Sequence, residues 1–226
     1  GKSYQREILA RMKALKDAAT NFVESVAKKA KGTAGKTVDH RIAVVSFASN
    51  ASNDTQGFKS MTNADDVEAV KDAINRLSAK GGTLVDEGIK TANSIFDKNE
   101  IDATKRNRYV IVFTDGAPGP NGSWNSACVN TANNAIGYAK TAKTTYKATV
   151  FTIGIFAGAK NTLPAPGYVN KSYPNSAEQT QNSNRFMHLV STNYPSATDI
   201  NTPGDQNSQK TGYYLTASDA AALNNV

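Results

Sequence analysis

The sequence predicts an α/β fold: a doubly wound, mostly parallel sheet with helices on both faces. Three observations predict it. The runs Arg41-Ile-Ala-Val-Val-Ser-Phe47, Tyr109-Val-Ile-Val-Phe-Thr114 and Ala148-Thr-Val-Phe-Thr-Ile-Gly-Ile155 are short, rich in β-branched residues and nearly continuous in apolar character. That is the pattern of strands covered on both faces, as in a parallel sheet. Segments with apolar residues at three- and four-residue spacing separate these runs, so helices alternate with strands. A chain of 226 residues with mixed apolar and charged composition suits one domain, 1–226, with a sizeable core.

Taken in order, 6–30 is a long amphipathic helix with Ile8, Met12, Leu15, Ala19, Phe22, Val23 and Val26 on its stripe, stopped by Gly32 and Gly35. The 41–47 strand follows, then a polar stretch and a weak strand around Phe58. A second helix covers 65–77, with Val67, Val70, Ile74 and Leu77 on one face and Asn63 as its N-cap. Lys80-Gly81-Gly82-Thr83 is a tight loop, and 84–96 is the next helix. The 109–114 strand ends in the turn Asp115-Gly116-Ala117-Pro118-Gly119. A fourth helix covers 126–146, packing through Ala127, Ala132, Ala135, Ile136 and Ala139, and leads to the 148–155 strand. Residues 157–210 are rich in Asn, Ser, Thr, Pro and Gly and read as a long loop insertion, with a short helix only at 185–190. A last strand at 212–215 and a helical turn at 219–223 close the chain. Ligands of such folds bind beyond the carboxyl ends of the strands. Gly81-Gly82-Thr83 and Thr114-Asp115-Gly116 fall there.

Composition narrows the function classes. The net charge of +7 comes from scattered lysines, densest at Lys28, Lys29, Lys31 and Lys36, which suit the C-terminal end of the first helix. No aromatic residues interleave with them as a single-strand nucleic-acid platform requires. One cysteine, Cys128, excludes an internal disulfide and reads as a small packing residue. His40 and His188 are too few and too far apart in sequence for a zinc site, and His188 reads as a packed histidine. Asp86 and Glu87 read as first-turn carboxylates favouring a helix dipole. No Ser-His-Asp order, phosphate loop or usefully spaced carboxylate pair marks an enzyme, and no apolar run is long enough to span a membrane.

The ordered set of Gly81-Gly82-Thr83 opening a helix and Val110-Ile-Val-Phe-Thr-Asp-Gly116 closing a strand resembles the von Willebrand factor A family, whose fold is Rossmann-like. The helix carrying Leu15, Lys16, Ala18 and Phe22, and the strand Phe151-Thr-Ile-Gly-Ile155, match as well. Arg185-Phe-Met-His-Leu-Val-Ser-Thr-Asn-Tyr-Pro195, Gly212-Tyr-Tyr and 218–223 look like the A domains of Gram-positive surface adhesins and pilus-tip proteins. The resemblance implies a metal-ion-dependent adhesion site in which Mg²⁺, or Mn²⁺ or Ca²⁺, takes a carboxylate from a protein or extracellular-matrix ligand. Thr83 matches the family's threonine ligand and Asp115 its aspartate. Taken alone, Thr83 is a helix N-cap and Asp115 a turn residue; the pair at the ends of neighbouring elements favours the metal. The implied location is extracellular, at a cell surface or wall, with no enzyme activity. The competing reading is an intracellular A domain in a chelatase-like or ribonucleoprotein complex.

One departure bears on both site and fold. The family's first strand ends in Asp-x-Ser-x-Ser, and that motif is absent. The resemblance therefore implies that the first strand and first metal loop are missing from the front of the chain. In the doubly wound order that strand lies centrally, between the 41–47 and 109–114 strands. The expectation is a gap there, filled by a separate peptide or by another molecule. The alternatives are 157–210 swinging in, or the two strands pairing directly.

Overall fold

The computed structural model describes residues 2–32, 37–99, 106–115, 117–120, 124–162, 175–208 and 212–217. The first helix, α1, is Lys2–Ala30. Two short antiparallel pairs follow: β1 (Arg41–Ile42) with β4 (Lys59–Ser60), and β2 (Val45–Phe47) with β3 (Ala51–Asn53). Then come α2 (Ala64–Arg76), α3 (Val85–Asp97), β5 (Arg108–Thr114), α4 (Ser126–Thr144), β6 (Ala148–Ile155), α5 (Ser176–Val190) and β7 (Tyr214–Ala217). Strands β5, β6 and β7 form a parallel sheet in that order, with Arg108 opposite Ala148 and Thr152 opposite Tyr214.

The α/β reading and most element positions stand. Asn63 caps α2, its side chain accepting from the Asp65 and Asp66 N–H groups at 2.8 and 3.2 Å. The 41–47 run differs from expectation. Instead of one parallel strand covered on both faces, it folds back on residues 51–61 as an antiparallel ribbon, and residues 42–47 are only half-buried. Among the described residues no strand pairs with its other side, and nearby side chains supply two of its backbone partners. Asp54 Oδ2 accepts from the Ser46 N–H at 2.7 Å and Thr55 Oγ1 from the Val44 N–H at 3.0 Å. The helix expected at 185–190 starts earlier, at Ser176. Its start is a capping box between Asn175 and Glu178, bonded reciprocally. The turn expected at 219–223 lies outside the described residues.

Side-chain alternation along β5 and β6 sends two different cores to the two faces. Val112, Ala148, Val150 and Tyr214 pack with α3, α4 and α5. Phe113, Ile153, Ile155 and Ala217 pack against Ala14, Leu15 and Ala18 of α1. The other half of α1, through Val23, Ala27 and Ala30, packs on α2 and on Met61, Ile42 and Val44. So α1 reaches from the three-stranded sheet to the ribbon. On the opposite face α3 does the same. Phe47 of β2 joins the cluster that holds Phe96 and Val112, and Gly88 lies so close that a Cβ there would sit 2.7 Å from the Phe47 ring.

Between these two helices the sheet is split. Strand β5 is an edge strand, and among the described residues no strand pairs with it on the side away from β6. The 41–47 run is not bonded to it. A groove of about 1910 Å³ occupies the interval, lined by α1, the ribbon, β5 and the 78–83 loop.

Lys143 is almost fully buried on α4 and donates to the carbonyls of Leu189, Val190, Ser191 and Tyr194 at 2.9–3.2 Å. It caps the C-terminal end of α5, where carbonyls lack helical partners. Burial pushes its ammonium down to about 7, with the Lys140 charge adding to the effect.

Two predictions follow from this packing. Gly88→Val forces the added atoms into Phe47, and should lower stability by about 1–3 kcal/mol in urea unfolding; an unchanged midpoint would mean α3 does not bear on β2. For Lys143, the unfolded chain keeps the proton up to about pH 10.4, whereas the folded chain releases it near pH 7. Between these values the unfolded state binds more protons, so stability rises with pH. Unfolding at about pH 7 and about pH 9 should show that rise in the wild type and its loss in Lys143→Met; equal responses would place the proton elsewhere.

Candidate functional site

Three loops converge at one end of the groove. The first is Ala48–Asn50 after β2, where Leu84 N–H donates to the Ala48 carbonyl at 2.9 Å. The second is the 80–83 loop. The third follows β5. Thr83 and Gly119 exchange backbone hydrogen bonds of 2.8 and 2.9 Å, which fastens the second loop to the third. The Ser49 hydroxyl accepts from the Gly82 N–H at 3.1 Å, which fastens the second to the first.

The two glycines explain how such close approach is possible. Gly81 has φ of +81°, and a Cβ there would lie 2.5 Å from Ser49 Oγ. A Cβ on Gly82 would lie 3.0 Å from the Pro120 Cα. Only residues without side chains let this loop pass between its neighbours and carry Thr83 to the rim.

Thr83 is half-buried and Asp115 exposed, and both line the groove together with Ser49. For Thr83 the simplest alternative role is not realised. Helix α3 has Leu84 as its N-cap, with no side-chain cap bond, so the Thr83 hydroxyl does not cap it. Among the described residues no side chain or turn amide is bonded to the Asp115 carboxylate. Gly116 lies outside the described residues. The sequence did not single out Ser49; its signal is that Ala48-Ser49-Asn50 is a polar break directly after an apolar strand.

These donors suit a hard cation in kind, a neutral hydroxyl and a carboxylate oxygen, but two do not fill an octahedral shell. No cluster of three or more His, Cys, Asp or Glu occurs among the described residues. Asp86 does not join the site. It is buried against α4, with Oδ2 accepting from Asn134 Nδ2 at 3.3 Å. His188 is a packed histidine: Nδ1 accepts from Asn193 Nδ2 at 3.0 Å, Nε2 donates to the Thr162 carbonyl at 3.2 Å, and Tyr214 stands edge-on at 4.9 Å. Burial pushes its pKa down and keeps it neutral. Cys128 is buried against Gly119, and burial raises its thiol pKa.

The family model of the von Willebrand factor type A domain matches residues 3–117, from α1 through both candidate loops. The chain belongs to that family. Its fold is similar to two crystal structures of the pilus adhesin SpaC from Lactobacillus rhamnosus GG, one in an open conformation. Each has a TM-score of 0.60 and 15% identity over 95% of this chain and 27% of SpaC. It is also similar to the vWF domain of the type V pili tip protein Mfa5 from Porphyromonas gingivalis, with a TM-score of 0.57 and 16% identity over 96% of this chain and 87% of that one. The chain thus spans about a quarter of SpaC. At these identities the likeness is one of fold. No curated protein sequence matches the chain.

Because the Thr83 and Asp115 side chains make no bond among the described residues, Thr83→Ala and Asp115→Ala should each change stability by less than about 0.5 kcal/mol. A loss of about 1 kcal/mol or more in urea unfolding would restore the cap or turn role.

Proposed function

We propose that this von Willebrand A domain is a non-enzymatic adhesion or ligand-binding module of a cell-surface protein. It would hold a carboxylate of a protein or matrix ligand through a divalent cation, Mg²⁺ with Mn²⁺ or Ca²⁺ as substitutes. One observation carries the reading: Thr83 and Asp115, from separate loops, line one groove, and among the described residues neither side-chain oxygen is bonded. A bound cation of this kind supplies an open coordination position for an anion. The chain's own part is to hold a neutral hydroxyl and a single carboxylate at that position, so that little negative charge opposes the ligand. The remaining donors would come from a segment carrying Asp-x-Ser-x-Ser ahead of α1. The pilus adhesin and pilus-tip likenesses support a location at the cell surface or wall. Of the two histidines, His188 is buried and committed to Asn193 and Thr162, away from the groove.

The test is calorimetric titration of the protein carrying its upstream segment. Mg²⁺ or Mn²⁺ should bind, and Thr83→Ala and Asp115→Ala should each weaken binding at least tenfold, about 1.4 kcal/mol. Unchanged affinity in both variants would remove these residues from the site. Submicromolar binding of RNA or DNA at physiological salt would overturn the surface reading in favour of an intracellular one.

A further inference from the structure

We infer that His188 is an acid-released clasp. Neutral, it ties residues 158–162 and the entry to β7 into one hydrogen-bonded chain at the end of α5. Protonated, it cannot complete that chain, and both are let go. The clasp sits at the β7 side of the sheet, across β6 from the groove, and is independent of any metal there.

Residues 158–162 form a strap along one face of α5, the face that carries Thr180, Asn184 and His188 at four-residue spacing. Each of the three grips it. Thr180 lies so near that a Cβ on Gly158 would sit 2.7 Å from Thr180 Cγ2. Asn184 Nδ2 donates to the Gly158 carbonyl at 3.0 Å, and Asn184 Oδ1 accepts from the Lys160 N–H at 2.8 Å. His188 Nε2 donates to the Thr162 carbonyl at 3.2 Å. Only the third grip can titrate in the physiological range.

That grip belongs to a chain whose polarity is fixed at both ends. At one end the Tyr213 N–H, directly ahead of β7, can only donate, and it gives to Asn193 Oδ1 at 3.2 Å. At the other end the Thr162 carbonyl can only accept. Between them lie an amide and an imidazole, and the two ends fix the orientation of both. Asn193 turns its oxygen to Tyr213 and its Nδ2 to His188 Nδ1, at 3.0 Å, so the ring carries its one proton on Nε2. An imidazolium donates from both nitrogens. Its Nδ1–H would meet Asn193 Nδ2, and turning the amide over would set that NH2 against the Tyr213 N–H. Either way two donors face each other. His188 and Asn193 are 1% and 0% exposed, where a donor without an acceptor is costly.

The surrounding charges oppose the cation as well. Arg185 on α5, Lys143 on α4 and Lys160 in the strap are all positive. Asp199 accepts from Asn201 and Thr198, Glu178 is held in the capping box, and Asp205 is exposed. Tyr194 and Tyr214 stand edge-on to the ring at 6.4 and 4.9 Å. Burial is the largest influence on the ring and holds its pKa below 6.5. Once released, the ring returns to about 6.5. Below that pH the open form binds more protons than the closed one, so the closed form is fully favoured above about pH 6.5 and loses ground as pH falls through the folded value. The Lys143 response lies above about pH 7 and ordinary carboxylates titrate near about 4, which leaves the interval between to the histidine.

The test is amide exchange on the whole chain between about pH 6.5 and about pH 5, expressed as protection relative to the intrinsic rate at each pH, together with nitrogen NMR of the His188 ring. At about pH 7 the ring should be the Nε2–H tautomer. Protection of the Lys160 and Tyr213 amides should fall at least threefold across the interval, while Ile136 in α4 keeps its own. Asn193→Asp places an acceptor at both contacts and so matches the imidazolium. In that variant the ring should take its second proton at a higher pH than in the wild type, and protection should hold or rise as pH falls. His188→Gln, with a fixed acceptor and donor, should lose the response. Unchanged protection of Lys160 and Tyr213 in the wild type down to about pH 5 overturns the inference, whether or not the ring titrates. So does an Nδ1–H tautomer, or a response in Asn193→Asp equal to that of the wild type.

Discussion

Backbone N–H and C=O groups removed from water need partners, and along the outer edge of β5 the described chain provides no strand to supply them. The rest of the architecture is arranged around that edge. The ribbon closes its own hydrogen bonds with 51–61 instead of crossing to β5. The two halves are held in register by helices rather than by a continuous ladder, with α1 bracing one face and α3 the other. Close packing makes such braces stiff: the Gly88–Phe47 contact leaves no room for a single added methyl without displacement.

The candidate site inherits its geometry from the same arrangement. Its three loops are tied by backbone bonds, Thr83 to Gly119 and Leu84 to Ala48, and by the Ser49 hydroxyl to Gly82. They stay together although the strands beneath them, β2 and β5, are not paired. Backbone fastening leaves the Thr83 and Asp115 side chains unbonded among the described residues. That division of labour is typical of binding residues carried on loops above a rigid scaffold.

Much of this was legible in the sequence because the signals were local. The 148–155 strand has a continuous apolar pattern, and Asn63 stands one residue ahead of its helix. Lys80-Gly81-Gly82-Thr83 announced a tight loop. Other features were not legible because they depend on neighbours. The 41–47 run has the composition of a doubly covered strand, yet its pairing follows from what lies beside it, which no local pattern records. The early start of α5 was hidden by the polar stretch 176–184; only the Asn175–Glu178 spacing marks it. Ser49 gained its place through contact with Gly82, thirty-three residues away.

One nitrogen also links local stability to the wider fold. Because the Lys143 ammonium is shared among four carbonyls at the end of α5, fraying of that helix end strips the acceptors from a charge buried on α4. The usual independence of a helix terminus is therefore lost: the end of α5 is tied to α4, and both helices pack on β6. The ribbon and α2 share a separate apolar cluster with the second half of α1. A helix end that elsewhere would fray alone is here anchored by a side chain from a neighbouring helix.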